Sequence, residues 1–151
     1  MIACQSTLSD DSQSVGFQVS GDYLFAGANT LQGEGNLDLS SLAENIGTNP
    51  DNIKAVRVSS AKIGMEPSGQ AITESLLLQI VSNNAELISL GTLSPVPAEG
   101  SLELKTAQDV DLLPYLKDEG MTWVLDLNLK EDHTDEMRAK GEVKLIVEYT
   151  E

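Results

Sequence analysis

The sequence predicts an all-β domain, a sandwich of about seven or eight strands with two short helical connections. Three observations predict it. Apolar residues recur at every second position in one segment after another, the period of a half-buried strand. Clusters of Gly, Pro, Asn, Asp and Ser separate these segments every ~8–12 residues. Hydrophobic residues make up 40% of the 151 residues but aromatics only 4%, so the core has to be built from Leu, Ile, Val and Ala. A chain of this length fits one domain with a substantial core.

Val15, Phe17 and Val19 alternate with polar or small residues and end at the turn Ser20-Gly21-Asp22; Tyr23, Phe25 and Gly27 continue the pattern as a second strand. Gly33-Glu34-Gly35 leads into Leu37 and Leu39. Residues 40–47 read as a short helix, with serine as its cap, Glu44 three residues after Ser41 as in a capping box, and Gly47 as its stop. Asn49-Pro50-Asp51-Asn52 is a turn. Val56 and Val58 point one way and Ala61, Ile63 and Met65 take over, so the phase slips near Ser59-Ser60 and predicts a bulge in a long strand.

Pro67-Ser68-Gly69 reads as the next turn. Leu76 to Val81 is a central strand apolar on both faces. Leu87 to Leu93 follows, then the connection Pro95-Val96-Pro97, which cannot sit inside a sheet. Leu102 and Leu104 form another strand. Residues 110–117 read as a helical turn, started by Asp109 or Asp111, that plugs one end of the sandwich. Trp123, Leu125, Leu127 and Leu129, then Val143, Leu145, Val147 and Tyr149, give the clearest alternation in the chain. The acidic stretch 131–140 between them reads as a hairpin-like connection.

This pattern of strands, with its short Asp111-Leu112-Leu113-Pro114-Tyr115-Leu116 turn and closing hairpin, resembles immunoglobulin-like domains of bacterial lipoproteins. That resemblance implies an immunoglobulin-like β-sandwich over residues 15–151. The Cys-Trp-Cys arrangement of true immunoglobulin domains is absent, because Cys4 is the single cysteine.

Cys4 closes the segment Met1-Ile2-Ala3-Cys4, and a small residue before a lone near-terminal cysteine resembles the lipobox of bacterial lipoproteins. The resemblance covers about five residues, departs at Met1 where Leu is usual, and implies an address rather than a fold. It makes Cys4 a lipid-attachment point and residues 1–14 a signal remnant and flexible tether, whose Ser9-Asp10-Asp11 resembles the acidic signal of surface-exported lipoproteins. The implied location is the bacterial cell envelope, at the outer membrane or cell surface.

The formal net charge is -15, and no Lys or Arg precedes Lys54. Nucleic-acid binding and polybasic attachment to anionic lipid both need an excess of cations, whereas this chain carries 9 Lys and Arg against 24 Asp and Glu. His133 is the single histidine, in a highly polar connection with little to fix a rotamer or exclude water, so a Ser-His-Asp or Cys-His site has little to build on. A zinc cage of the usual spacing needs more His and Cys than the chain has. Calcium takes carboxylates and carbonyls, which leaves Asp109 with Asp111, and Asp132, His133, Asp135 and Glu136, as weak candidate ligands. Alternation places Trp123 and Tyr149 in the core, whereas Tyr23, Phe25 and Tyr115 are open as surface anchors.

The resulting expectation is a non-enzymatic, lipid-anchored envelope domain that binds a protein partner or joins an assembly, through an edge strand or end loops. The alternative is a small carboxylate- or calcium-dependent hydrolase of the envelope.

Overall fold

The computed structural model describes residues 8–34, 37–83, 85–107, 109–117 and 121–150. Its elements run β1 (Leu8–Gly21), β2 (Gly27–Glu34), α1 (Leu39–Ile46), a 3-10 turn (Pro50–Asn52), β3 (Ile53–Met65), α2 (Pro67–Ile72), β4 (Thr73–Val81), β5 (Ile88–Leu93), β6 (Leu102–Thr106), α3 (Leu113–Leu116), β7 (Thr122–Leu129) and β8 (Met137–Thr150).

The eight strands close into a barrel in the order β1-β2-β7-β4-β5-β6-β3-β8, every neighbour antiparallel. Four pairings, β1–β8, β2–β7, β3–β6 and β4–β5, join first strand to last and so on inward. A chain folded once into a long hairpin and then rolled up gives this set, the strand order of a jelly roll. Two narrow seams complete the ring: β1 meets β2 at Ser20↔Gln32, and β5 meets β6 at Gly91↔Thr106 and Thr92↔Lys105.

The immunoglobulin-like sandwich is therefore corrected to a closed barrel. Period-2 alternation says that one face of a strand is buried, but it does not say which strand lies beside it. The last two strands are likewise no hairpin: β7 pairs with β2 and β4, and β8 with β1 and β3. The two expected helical connections become three short helices and a 3-10 turn among the described residues.

The barrel is filled by the inward side of each strand. Val19, Leu31, Val56, Val58, Ala61, Leu78, Ile80, Leu90, Leu125, Val143, Leu145 and Val147 are almost fully buried. The register shift between Val58 and Ser60 is the bulge expected near Ser59-Ser60, and it lets Val58 and Ala61 both face inward. On the outside, β8 presents Arg138, Lys140, Glu142 and Lys144. An apolar interior under a charged exterior is the reverse of a membrane-spanning barrel. No helix among the described residues is long and apolar enough to cross a membrane.

Phe17 from β1 stacks on Trp123 from β7, ring centroids 4.4 Å apart and planes 8° from parallel. The stack exists because β8 has no side chain opposite Phe17. A Cβ on Gly141 would lie 2.1 Å from the ring. Gly33 permits an even closer approach, since a Cβ there would lie 1.9 Å from the Gln18 carbonyl oxygen at the β1–β2 seam.

Strand β1 starts at Leu8, not at Val15. Leu8 to Ser14, expected in the tether, pair residue by residue with Thr150 to Lys144. Their polar side chains hide the strand from any reading by hydrophobicity, while the backbone ladder to β8 holds it. The cap of α1 also differs from expectation. Asp38, not a serine, accepts the Ser41 N–H at 2.7 Å, and Gly47 ends the helix at φ 86°. The Pro67-Ser68-Gly69 turn is the start of α2, with Pro67 in the first helical turn.

Residue Asp111 does hold the α3 region in place. Its Oδ1 accepts the N–H of Leu113 and of Val56, each at 3.0 Å, while the Leu112 N–H donates to the Val56 carbonyl at 2.7 Å. Leu112, Tyr115 and Leu116 are thereby buried at one end of the barrel, as the expected plug.

Candidate functional site

Six aromatic residues are all this chain has, and the fold sorts them. Phe17, Trp123 and Tyr115 are buried and Tyr149 is half-buried, in a groove of about 480 Å³ lined by Ile46, Gly47, Thr48, Asn49 and Asn52. Tyr115 is used internally. Its hydroxyl donates to the Glu86 carbonyl, and burial, followed by the Glu86 charge, raises its pKa. Tyr23 and Phe25 remain, 70% and 67% exposed, on the loop between β1 and β2.

That loop is built rigidly. β1 and β8 pair as far as Gly21↔Met137, and β2 and β7 as far as Gly27↔Leu129. The β1–β2 and β7–β8 connections must therefore run side by side at the same end. Leu24 and His133 join them by a two-way backbone bridge, Leu24 N–H to His133 O at 2.8 Å and His133 N–H to Leu24 O at 2.9 Å. Asp132 Oδ1 accepts the Ala26 N–H at 2.9 Å. Asn29 clamps the following turn: its Oδ1 accepts the Phe25 N–H at 3.0 Å, and its Nδ2 donates to the carbonyls of Phe25 and Gly27.

Within this frame Leu24 points inward, 6% exposed, and the residues on either side point out. The expectation of a second strand through Tyr23, Phe25 and Gly27 is thus corrected: β2 begins at Gly27, and Leu24 is the inward residue. Tyr23 has φ 51°, the sole non-glycine residue with positive φ among those described. A bulky residue in that region is strained and is held there by its surroundings.

The loop end is acidic. Asp22, Glu131, Asp132, Asp135 and Glu136 lie in the two connections with one cation, Lys130. Of the candidate metal ligands, Asp132 is turned to the Ala26 N–H, and His133 Nδ1 contacts its own neighbour's carbonyl, Asp135 O, at 2.9 Å. Glu136 pairs with Arg138. Asp111 is turned to the Leu113 and Val56 amides. Among the described residues, no three His, Cys, Asp or Glu side chains gather where they could hold a metal ion. Cys4 lies outside the described residues. Sequence reasoning named Tyr23 and Phe25 as open surface anchors but missed Leu24 and Asn29. The clue to Asn29 was local: an Asn two residues after a turn glycine is suited to bonding nearby backbone.

Fold and site together define a closed jelly-roll barrel with an acidic end on which two aromatic side chains are displayed by a fixed loop. No protein-family model matches the chain, and no curated protein matches it. Among solved structures it is similar to a chain of Desmodium yellow mottle tymovirus, with a TM-score of 0.33 and 10% identity over 100% of this chain and 94% of that one. It is also similar to the Yersinia pseudotuberculosis-derived mitogen, with a TM-score of 0.30 and 6% identity over 92% of this chain and 86% of that one. Likenesses this remote carry nothing about function.

Proposed function

We propose that this domain is a non-enzymatic binding module that engages a partner through the β1–β2 loop. The observation that carries the reading is the exposure of Tyr23 and Phe25, 70% and 67%, on a loop whose backbone is bonded into the barrel. Exposed aromatics on a fixed frame supply contact area at little entropic cost on binding, and they are the residue types that dominate interfaces. The expected attachment through Cys4 fits the same reading. It leads into β1 at Leu8, and this 14-residue strand runs about 45 Å to the loop, so a domain held there presents Tyr23 and Phe25 away from its attachment. No observation among the described residues favours the hydrolase alternative.

The test is site-specific photocrosslinking in cells that make the protein. A benzophenone amino acid at position 25 should give a discrete adduct, and the same group at exposed Glu99 should not. Equal labelling at both positions, or none at position 25, removes the reading.

A further inference from the structure

The chemistry around the two rings narrows the partner. We infer that the loop end receives a basic protein segment, its arginine or lysine side chains lying over the Tyr23 and Phe25 rings and among the carboxylates that flank them. The inference rests on the binding-module reading and adds the partner's charge to it.

Three observations point the same way. The rings are exposed, so their negative π faces are open to a cation. The two connections that form this end carry five carboxylates, Asp22, Glu131, Asp132, Asp135 and Glu136, against Lys130, and only Glu136 has an ion pair there, to Arg138. The whole chain carries a formal charge of -15, so a cationic partner is attracted at long range as well as at contact. Most of this protein's cations lie on strands rather than in these two connections, with Arg138, at the start of β8, reaching the loop end through its pair with Glu136. Seven of the nine, Lys54, Arg57, Lys62, Lys105, Arg138, Lys140 and Lys144, lie on β3, β6 and β8.

The competing occupants fare worse. An anionic bilayer or a nucleic acid meets five carboxylates around the rings. A second copy brings another net charge of -15. A sugar would be expected in a concave site, whereas Tyr23 and Phe25 are exposed on a loop at the end of the barrel.

The probe is a hexa-arginine peptide, titrated into the intact chain at 150 mM salt and followed by backbone amide NMR, with hexa-glutamate and anionic phospholipid vesicles in parallel. The expected result is that hexa-arginine shifts the amides of residues 22–26 and 131–135 above all others. The double variant Tyr23→Ala/Phe25→Ala, whose net charge is unchanged, should bind it about tenfold more weakly. Equal binding by that variant, or shifts spread over every acidic surface, means attraction by bulk charge alone and overturns the inference. Ring-dependent binding of hexa-glutamate or of vesicles, with none of hexa-arginine, overturns the cationic partner but leaves the binding module standing. No crosslink at position 25 in cells overturns both.

Discussion

The Phe17–Trp123 stack makes a prediction that depends on one missing side chain. Phe17 is 8% exposed, and Trp123, 1% exposed, lies beneath it. A Cβ added at Gly141 would meet three atoms of the Phe17 ring at 2.1, 2.3 and 2.8 Å. The Gly141→Ala methyl cannot enter unless the ring leaves the stack, and forced repacking of this kind costs about 1–3 kcal/mol. Phe17→Ala alone removes a buried ring and costs about 3–5 kcal/mol.

The informative variant is the double one. With the ring gone, the new methyl enters the vacated space, and Gly141→Ala becomes neutral or stabilising, because a strand-interior glycine carries a penalty of roughly 0.5–1 kcal/mol. The coupling energy should therefore be negative, about -1 to -3 kcal/mol. Urea denaturation of the four proteins measures it, with Trp123 fluorescence as the probe of the same site. Additivity within about 0.5 kcal/mol would refute the reasoning, since it would mean that the ring and the glycine do not share space.

Three more outcomes are expected. Gly33→Ala should cost more than about 3 kcal/mol or prevent folding, because its Cβ meets backbone at 1.9 Å and not a movable side chain. Gly16→Ala, whose Cβ would meet nothing closer than 3.8 Å, should stay within about 0.5 kcal/mol, and thermal melts of the pair test the contrast. Asp38→Ala should lower stability by about 1 kcal/mol through loss of the α1 cap, read by urea denaturation. Alkaline stability should depend on Tyr115, whose pKa is raised in the folded state. Its contribution is complete below the ordinary value of 10.0 and is lost as pH rises through the folded pKa, because the unfolded chain gives up the proton first. In Tyr115→Phe the decline of urea stability between pH 9 and 11 should be shallower; an unchanged slope would assign it to other groups.

The sequence made visible whatever depends on local period and left hidden whatever depends on distant pairing. Trp123 to Leu129 and Val143 to Tyr149 announce themselves as strands because each alternates without a break. The slip at Ser59-Ser60 announces the bulge for the same reason. Nothing local says that β8 lies between β1 and β3, 98 residues from Asn52 to Thr150 along the chain yet hydrogen-bonded in space. Two local signals misled. Leu8 to Ser14 is too polar to read as a strand, because its side chains are spread over a half-buried face while its backbone does the pairing. Tyr23 and Phe25 alternate as a strand would, but the frame set by Asn29, Asp132 and the Leu24–His133 bridge selects Leu24 as the inward residue instead.

That selection is also the best physical reason to look for a partner at this end. A barrel with six aromatics gains most by burying them, at roughly 25 cal/mol for each Å² of apolar surface removed from water, and here two are left in solvent on adjacent sides of one leucine. Holding Tyr23 at φ 51° costs a further ~1–2 kcal/mol that a glycine at the same position would avoid. Asn29 and Asp132 then hold this strained, exposed arrangement in place rather than letting the loop fold the rings onto the barrel wall. A loop serving only to link β1 to β2 gains nothing from such a geometry; a loop that must present two rings in a fixed orientation does. Replacing Tyr23 by glycine separates the two demands, because relief of the strain should raise the melting temperature while removal of the ring should weaken the binding of hexa-arginine proposed above.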